Sequence, residues 1–174
     1  MAYILGLTTL GDSAASLICD GKLVAAAEEE RFSRVKHHSG FPFNAMQFCL
    51  DQAGIKIGDV EHVSLYWKPW ILGHKALQAL KSLAISRGMF SARIDRGVAQ
   101  VSDSYLGMLK LPRMIRRRYG SSDFRFRYLE HHMCHAASAF LVSPFESAAI
   151  FTMDGPGKRR PRCFLTGVGR GLIR

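Results

Sequence analysis

Thiol pairs, long apolar runs and, over one stretch, acidic residues are all scarce in this 174-residue chain. Cys19, Cys49, Cys134 and Cys163 are scattered with no CxxC spacing, which excludes a metal or redox site built on neighbouring thiols. No apolar run approaches the roughly 18 residues that cross a bilayer, so no transmembrane helix is expected. A signal-peptide pattern is also missing, because Met1-Ala2-Tyr3 leads directly into a strand-like segment. These absences imply free thiols in a reducing cytoplasm. Between Tyr66 and Arg127 the acidic residues dwindle to Asp95, Asp103 and Asp123, against thirteen Lys and Arg. That local excess of ten equals the net charge of +10, so the rest of the chain is balanced.

A hydrophobic content of 48% provides for one globular domain with a real core. "YILGLTT" (3–9) reads as a buried strand. "SAASLICDGKLVAAAEEE" sets Asp20-Gly21 between two apolar stretches, the signal for a tight hairpin, so the chain should open with a three-stranded meander. After a polar loop, "FNAMQFCLDQAGI" predicts a helix with Phe43, Met46, Gln47, Leu50 and Ala53 near one spacing and Gly54 as its stop. "VEHVSLYW" (60–67), "FRFRYLE" (124–130), "SAAIFTMDG" (147–155) and "CFLTGVGRG" (163–171) predict further strands. The basic segment, about 70–122, reads as a helical insertion, in which Pro112 is expected to kink or end the second helix. The whole is α/β.

Three places carry candidate chemistry. In "EHHMCHAASAF", His131 and His135 are four apart and share a helix face, where both imidazoles can reach one metal ion. His132 points about 100° away. The alternative reading has His131 at a helix start, His132 in solvent and His135 against Ala139. Asp154 closes an apolar strand and precedes Gly155 and Gly157, a place where α/β proteins bind ions and phosphates. It can equally be a turn aspartate bonded to its own backbone. In "GDSAAS", Asp12 and Ser13 can position a metal-bound water or a phosphate, or make a satisfied β-turn. The run "EEERFSRVKHH" (28–38) reads as a solvated salt-bridge face unless its loop folds over an anion site.

In order, "ILG", "DSAAS", "DGKLVAAAEEERFSRVKH", "AMQFCLDQAGI", "HHMCHAASAF", "TMDGPG" and "GVGRG" resemble the NodU/CmcH-type carbamoyltransferases. The resemblance implies a half of the actin/Hsp70/sugar-kinase (ribonuclease H-like) fold, related to the tRNA threonylcarbamoyl transferases. It implies a divalent metal, iron, on His131, His135 and Asp154. ATP would be the co-substrate and carbamoyl phosphate the donor, joined through a carbamoyl-adenylate whose carbamoyl group passes to a hydroxyl of a small-molecule acceptor. It implies catalytic roles for Asp12 and Lys36, and nucleotide contacts from Ser13, Gly155 and Gly157.

Two features depart from that pattern. The family commonly has a histidine immediately before the "DSAA" aspartate, where this chain has Gly11, and glycine accepts no proton. Either His37 or His38 serves instead, or the acceptor differs, or transfer is lost. The chain is also short for the family, which implies an absent C-terminal portion or a partner subunit, a homodimer among the options. A nucleotide- or metal-binding remnant is the second expectation. Nucleic-acid binding through the basic segment is the weakest, for want of aromatic interleaving and groove-reading motifs.

Overall fold

The computed structural model describes residues 1–68, 107–120, 123–152, 163–168 and 171–173. It divides into two compact units, Met1–Tyr128 and Leu129–Arg174.

In the first unit, β1 (Tyr3–Thr8), β2 (Ala14–Cys19) and β3 (Lys22–Glu28) form the expected meander. β4 (Val60–Leu65) and β5 (Arg125–Tyr128) then run parallel to β1, giving the order β3-β2-β1-β4-β5. The α/β half expected from the sequence is the fold found. The hairpin turn puts both Asp20 (φ 47°) and Gly21 (φ 80°) in the left-handed region, the geometry whose twist matches the flanking strands. The Asp20 carboxylate also accepts from the Ala2 amide at 2.8 Å, pinning the chain start to the turn.

Strand alternation decides which face is buried. Leu5 and Leu7 on β1 pair across to Leu17 and Ala15 on β2 and to Val63 and Leu65 on β4, all on one face. Two helices cover that face, α2 (Phe43–Ala53), which follows a four-residue α1 (Glu30–Ser33), and α3, helical over residues 107–119. The buried stripe of α2 is Ala45, Met46, Cys49 and Leu50, one step round from the expected one. Gln47 is exposed and donates to Asp51 at 2.7 Å instead. The small side chains of Ala45 and Cys49 let the helix lie close to β2, with Cys49 Sγ 3.6 Å from the Ala15 carbonyl. Burial pushes the Cys49 thiol up to about 11, so it stays protonated and inert. Gly54, at φ 64°, ends the helix as expected.

Of the two outcomes expected at Pro112, a kink or an end, the end does not occur, since α3 continues through to residue 119. Proline offers no N–H to the carbonyl four residues back, which here belongs to Met108. The Tyr128 hydroxyl donates to that carbonyl at 3.1 Å, so a side chain of β5 supplies the missing bond. Met108, Leu111 and Ile115 face the core, while Lys110, Arg113, Arg116, Arg117 and Arg118 face outward. The remainder of the basic segment lies outside the described residues.

The second unit has α4 (His131–Phe140) and an antiparallel sheet of β6 (Ser147–Thr152), β7 (Cys163–Val168) and β8 (Gly171–Ile173). Ala136 and Met133 of α4 pack on Ile150 of β6. A side chain at Gly167 would lie 2.5–2.7 Å from three atoms of the buried Phe140 ring, so only glycine lets this helix approach. Among the described residues, Cys19, Cys49 and Cys134 are free thiols and no helix is long and apolar enough to cross a membrane.

Tyr128→Phe should cost about 1 kcal/mol of stability, the worth of one intramolecular hydrogen bond. In a Pro112→Ala background, an amide at 112 reaches the Met108 carbonyl and the cost should shrink toward zero. Urea denaturation of the four proteins measures this coupling, and equal costs in both backgrounds contradict the account.

Candidate active site

β1, β3, β4 and β5 all point one way, and register aligns Thr8 with Ala14 and Glu28, and Leu7 with Leu65 and Tyr128. The carboxyl ends of four strands therefore meet at one edge, where α/β sheets bind ligands. Residues 9–13 after β1 and 29–42 after β3 rise from it.

Ser13 joins them. It is 1% exposed. Its amide donates to the His38 carbonyl at 2.9 Å, its hydroxyl to the Gly40 carbonyl at 2.9 Å, and its carbonyl accepts from the Glu29 amide at 2.8 Å. The hydroxyl proton is thus used within the loop, where Ser13 acts as a staple.

The three glutamates of the "EEE" run part company, so the expectation of one solvated face does not hold. Glu28 pairs with Arg31 at 3.3 Å on the surface. Glu29 is 2% exposed, and its carboxylate accepts from the Ala45 amide at 2.9 Å and the Asn44 side chain at 2.6 Å. It therefore fills the role of an N-cap for α2, whose own cap position is Pro42 with no side-chain bond. Glu30 Oε2 accepts from the His37 amide at 3.0 Å.

That last bond holds His37 at φ 55°, a conformation that histidine tolerates at a cost. The ring of His37 then lies on Asp12, with Nδ1 2.8 Å from Oδ1. Both side chains are largely exposed, at 70% and 56%. Asp12 raises the His37 pKa above its ordinary value, first by the hydrogen bond and then by its charge, with a smaller push from Glu30. Asp12, Glu30 and His37 each offer a donor atom within 4.8 Å of the others. Both carboxylates bond to His37, Asp12 to its ring and Glu30 to its amide, so the geometry is that of a braced histidine. Lys36 is exposed one residue earlier. Gly11, at φ 71°, has no neighbour within 4 Å of where a Cβ would stand.

In the second unit, His131 and His135 lie together on α4, as their spacing predicts, with Nε2 atoms 3.1 Å apart. Two nitrogens each roughly 2.0–2.1 Å from one ion lie about 3 Å apart at tetrahedral to octahedral angles, so the pair fits a shared metal. His132 is not in open solvent: its Nδ1 lies 2.9 Å from the hydroxyl of the buried Thr152. Asp154, Gly155 and Gly157 lie outside the described residues.

Residues 3–172 match the model of the carbamoyltransferase N-terminus. This chain belongs to that carbamoyltransferase family. It is 36% identical over 99% of its length to the uncharacterized protein sll1178 of Synechocystis sp., and 32% identical over 93% to the nodulation protein NolNO of Sinorhizobium fredii. It spans 28% and 22% of the lengths of those two relatives. Among solved structures it is similar to YeaZ from Pseudomonas aeruginosa, at 12% identity and a TM-score of 0.47, over 95% of this chain and 59% of that one. Asp12, Lys36 and the histidine pair are legible in the sequence. The part played by Glu30 was hidden in an ordinary charge run.

The raised His37 pKa has a definite sign for stability. Its contribution is complete below the unfolded value of about 6.5 and fades as pH rises through the higher folded value. Asp12→Asn should bring the His37 titration back down toward the ordinary value. Proton NMR of the imidazole against pH measures it, and an unmoved titration contradicts the pairing.

Proposed function

We propose that this chain is the N-terminal part of an O-carbamoyltransferase that uses carbamoyl phosphate and ATP, through a carbamoyl-adenylate, to carbamoylate a hydroxyl of a small-molecule acceptor. The observation that carries this reading is the family match over residues 3–172. The site geometry is consistent with it in two separate parts.

The first part is the carboxyl edge of the larger sheet. There Lys36 is free to meet the phosphate of the activated carbamoyl group, because a mobile ammonium serves as a point charge for phosphate oxygens. Asp12 works through the side chain it holds. Ser13 contributes by fixing the loop, and the nucleotide contacts proposed for Gly155 and Gly157 come from backbone N–H groups that glycine leaves accessible.

The second part is the histidine pair of α4. His131 and His135, with Asp154 as the carboxylate ligand, would hold a divalent metal, and the softness of imidazole suits iron. When bound, such an ion supplies Lewis-acid stabilisation of carbonyl and phosphate oxygens. The residues themselves would ligate as neutral imidazoles through the two Nε2 atoms.

Gly11 favours one second reading, a carbamoyltransferase fold that binds nucleotide and metal without turnover. The protein that contains this chain, given ATP and carbamoyl phosphate, separates the two. Formation of AMP and pyrophosphate dependent on both substrates is expected, and its absence with nucleotide still bound favours the second reading. His131→Ala and His135→Ala should each lower bound metal at least about tenfold by elemental analysis, as loss of one direct ligand requires. Unchanged metal content in both variants contradicts the ligand assignment.

A further inference from the structure

We propose that His37 is the proton acceptor for the attacking hydroxyl, with Asp12 as its positioning residue. This rests on the carbamoyl-transfer reading above and names the group that the chemistry needs.

A hydroxyl attacks a carbamoyl carbon well only if its proton is taken as the new bond forms. The β1–β2 loop has no side chain for this at Gly11. Asp12 is beside it, but its Oδ1 is committed to His37. His37 has what a base requires. Its Nδ1 faces a carboxylate oxygen at 2.8 Å, which sets the proton on Nδ1 and leaves the Nε2 lone pair available. Its backbone is held by Glu30 at 3.0 Å in the left-handed region, an arrangement that would relax if no bond maintained it. Its ring is 70% exposed at the edge where four strand ends meet. Asp12 from the β1–β2 loop and Glu30 from α1 are the charged groups facing it, both anionic, and both favour proton uptake.

A cation held by Asp12, Glu30 and His37 is the competing reading of the same three residues. It would have to displace the Asp12–His37 hydrogen bond, and Glu30 Oε2 already accepts from the His37 amide. A brace that only holds the loop is the other competitor, and it would not need an exposed imidazole with one open nitrogen.

The step balances as follows. The acceptor oxygen bonds to the carbamoyl carbon, and the bond from that carbon to the adenylate phosphate oxygen breaks. The hydroxyl proton passes to His37 Nε2, and AMP leaves with the electron pair. The product is the O-carbamoyl ester, and the imidazolium later returns its proton to solvent.

The test uses the protein containing this chain and its His37→Asn variant, with ATP, carbamoyl phosphate and two nucleophiles. Asparagine tolerates a left-handed φ and can still donate to Asp12, so the loop is kept while the base is lost. Water is the hydroxyl probe, read as AMP release. Hydroxylamine is a neutral amine nucleophile that needs no base, read as hydroxyurea. In His37→Asn, AMP release to water should fall at least about 100-fold, the lower end for general-base catalysis, while hydroxyurea still forms. The parent rate with water should fall as pH drops below the His37 pKa, and Asp12→Asn should move that limb to lower pH. Equal AMP release by parent and variant, or a pH limb unmoved by Asp12→Asn, overturns the assignment of His37 alone. Loss of both products in His37→Asn also overturns it, since a loop collapse then accounts for the effect. No hydroxyurea from the parent overturns the carbamoyl-transfer reading itself, and this inference with it.

Discussion

The carboxyl edge of the larger sheet depends on the three hydrogen bonds of Ser13. One buried residue ties the β1–β2 loop to the exit of β3 through Glu29 and to the 38–40 segment through two carbonyls. The Gly40 amide returns the tie to the Thr9 carbonyl at 3.1 Å. Glu29, placed by that bond, sends its carboxylate into the start of α2, where hydrogen bonds to an ionised acceptor are worth about 1.5–3 kcal/mol. A single residue thus links a loop, a strand end and a helix. Asp12 is its immediate neighbour, and His37 immediately precedes His38, whose carbonyl Ser13 holds. The short distance from Asp12 to His37 follows from this stitching and not from attraction alone, because the pair itself is too exposed to order two loops.

Strands and helices could be read from the chain because each follows from local pattern. Alternation fixed the buried face of β1, "DG" the hairpin, and Gly54 the end of α2. Where the pattern misled or left alternatives open, a residue distant in sequence intervened. Pro112 stays inside α3 because Tyr128, sixteen residues later, bonds the carbonyl that proline leaves vacant. Three consecutive glutamates read as one solvated face, yet Asn44 and Ala45 draw the middle one into the interior. Period and propensity carry no trace of such contacts. The candidate site was visible in part for the same reason. Four-residue spacing brings His131 and His135 together on any helix, whereas the pairing of Asp12 with His37 spans 25 positions and exists only once Ser13 has closed the loops.

The two histidine arrangements suit opposite tasks. On α4, two imidazole nitrogens stand 3.1 Å apart, a spacing that two ligands of one cation would have. In the 29–42 segment, the His37 imidazole faces two carboxylates, and proton uptake is favoured. The carbamoyl transfer proposed above has use for both, an electrophile holder and a proton acceptor. Placing a base on the longer loop instead of on the β1–β2 loop lets Gly11 adopt its left-handed φ without a side chain to accommodate.

The central claim is that this edge presents one histidine in a fixed tautomer. Nitrogen-15 NMR of the His37 imidazole at neutral pH reads that directly from the shifts of its two ring nitrogens. The account predicts a protonated Nδ1, bound to Asp12, and a bare Nε2 in the neutral ring. A neutral ring protonated at Nε2, or one averaging between the two forms as a free histidine does, would contradict it.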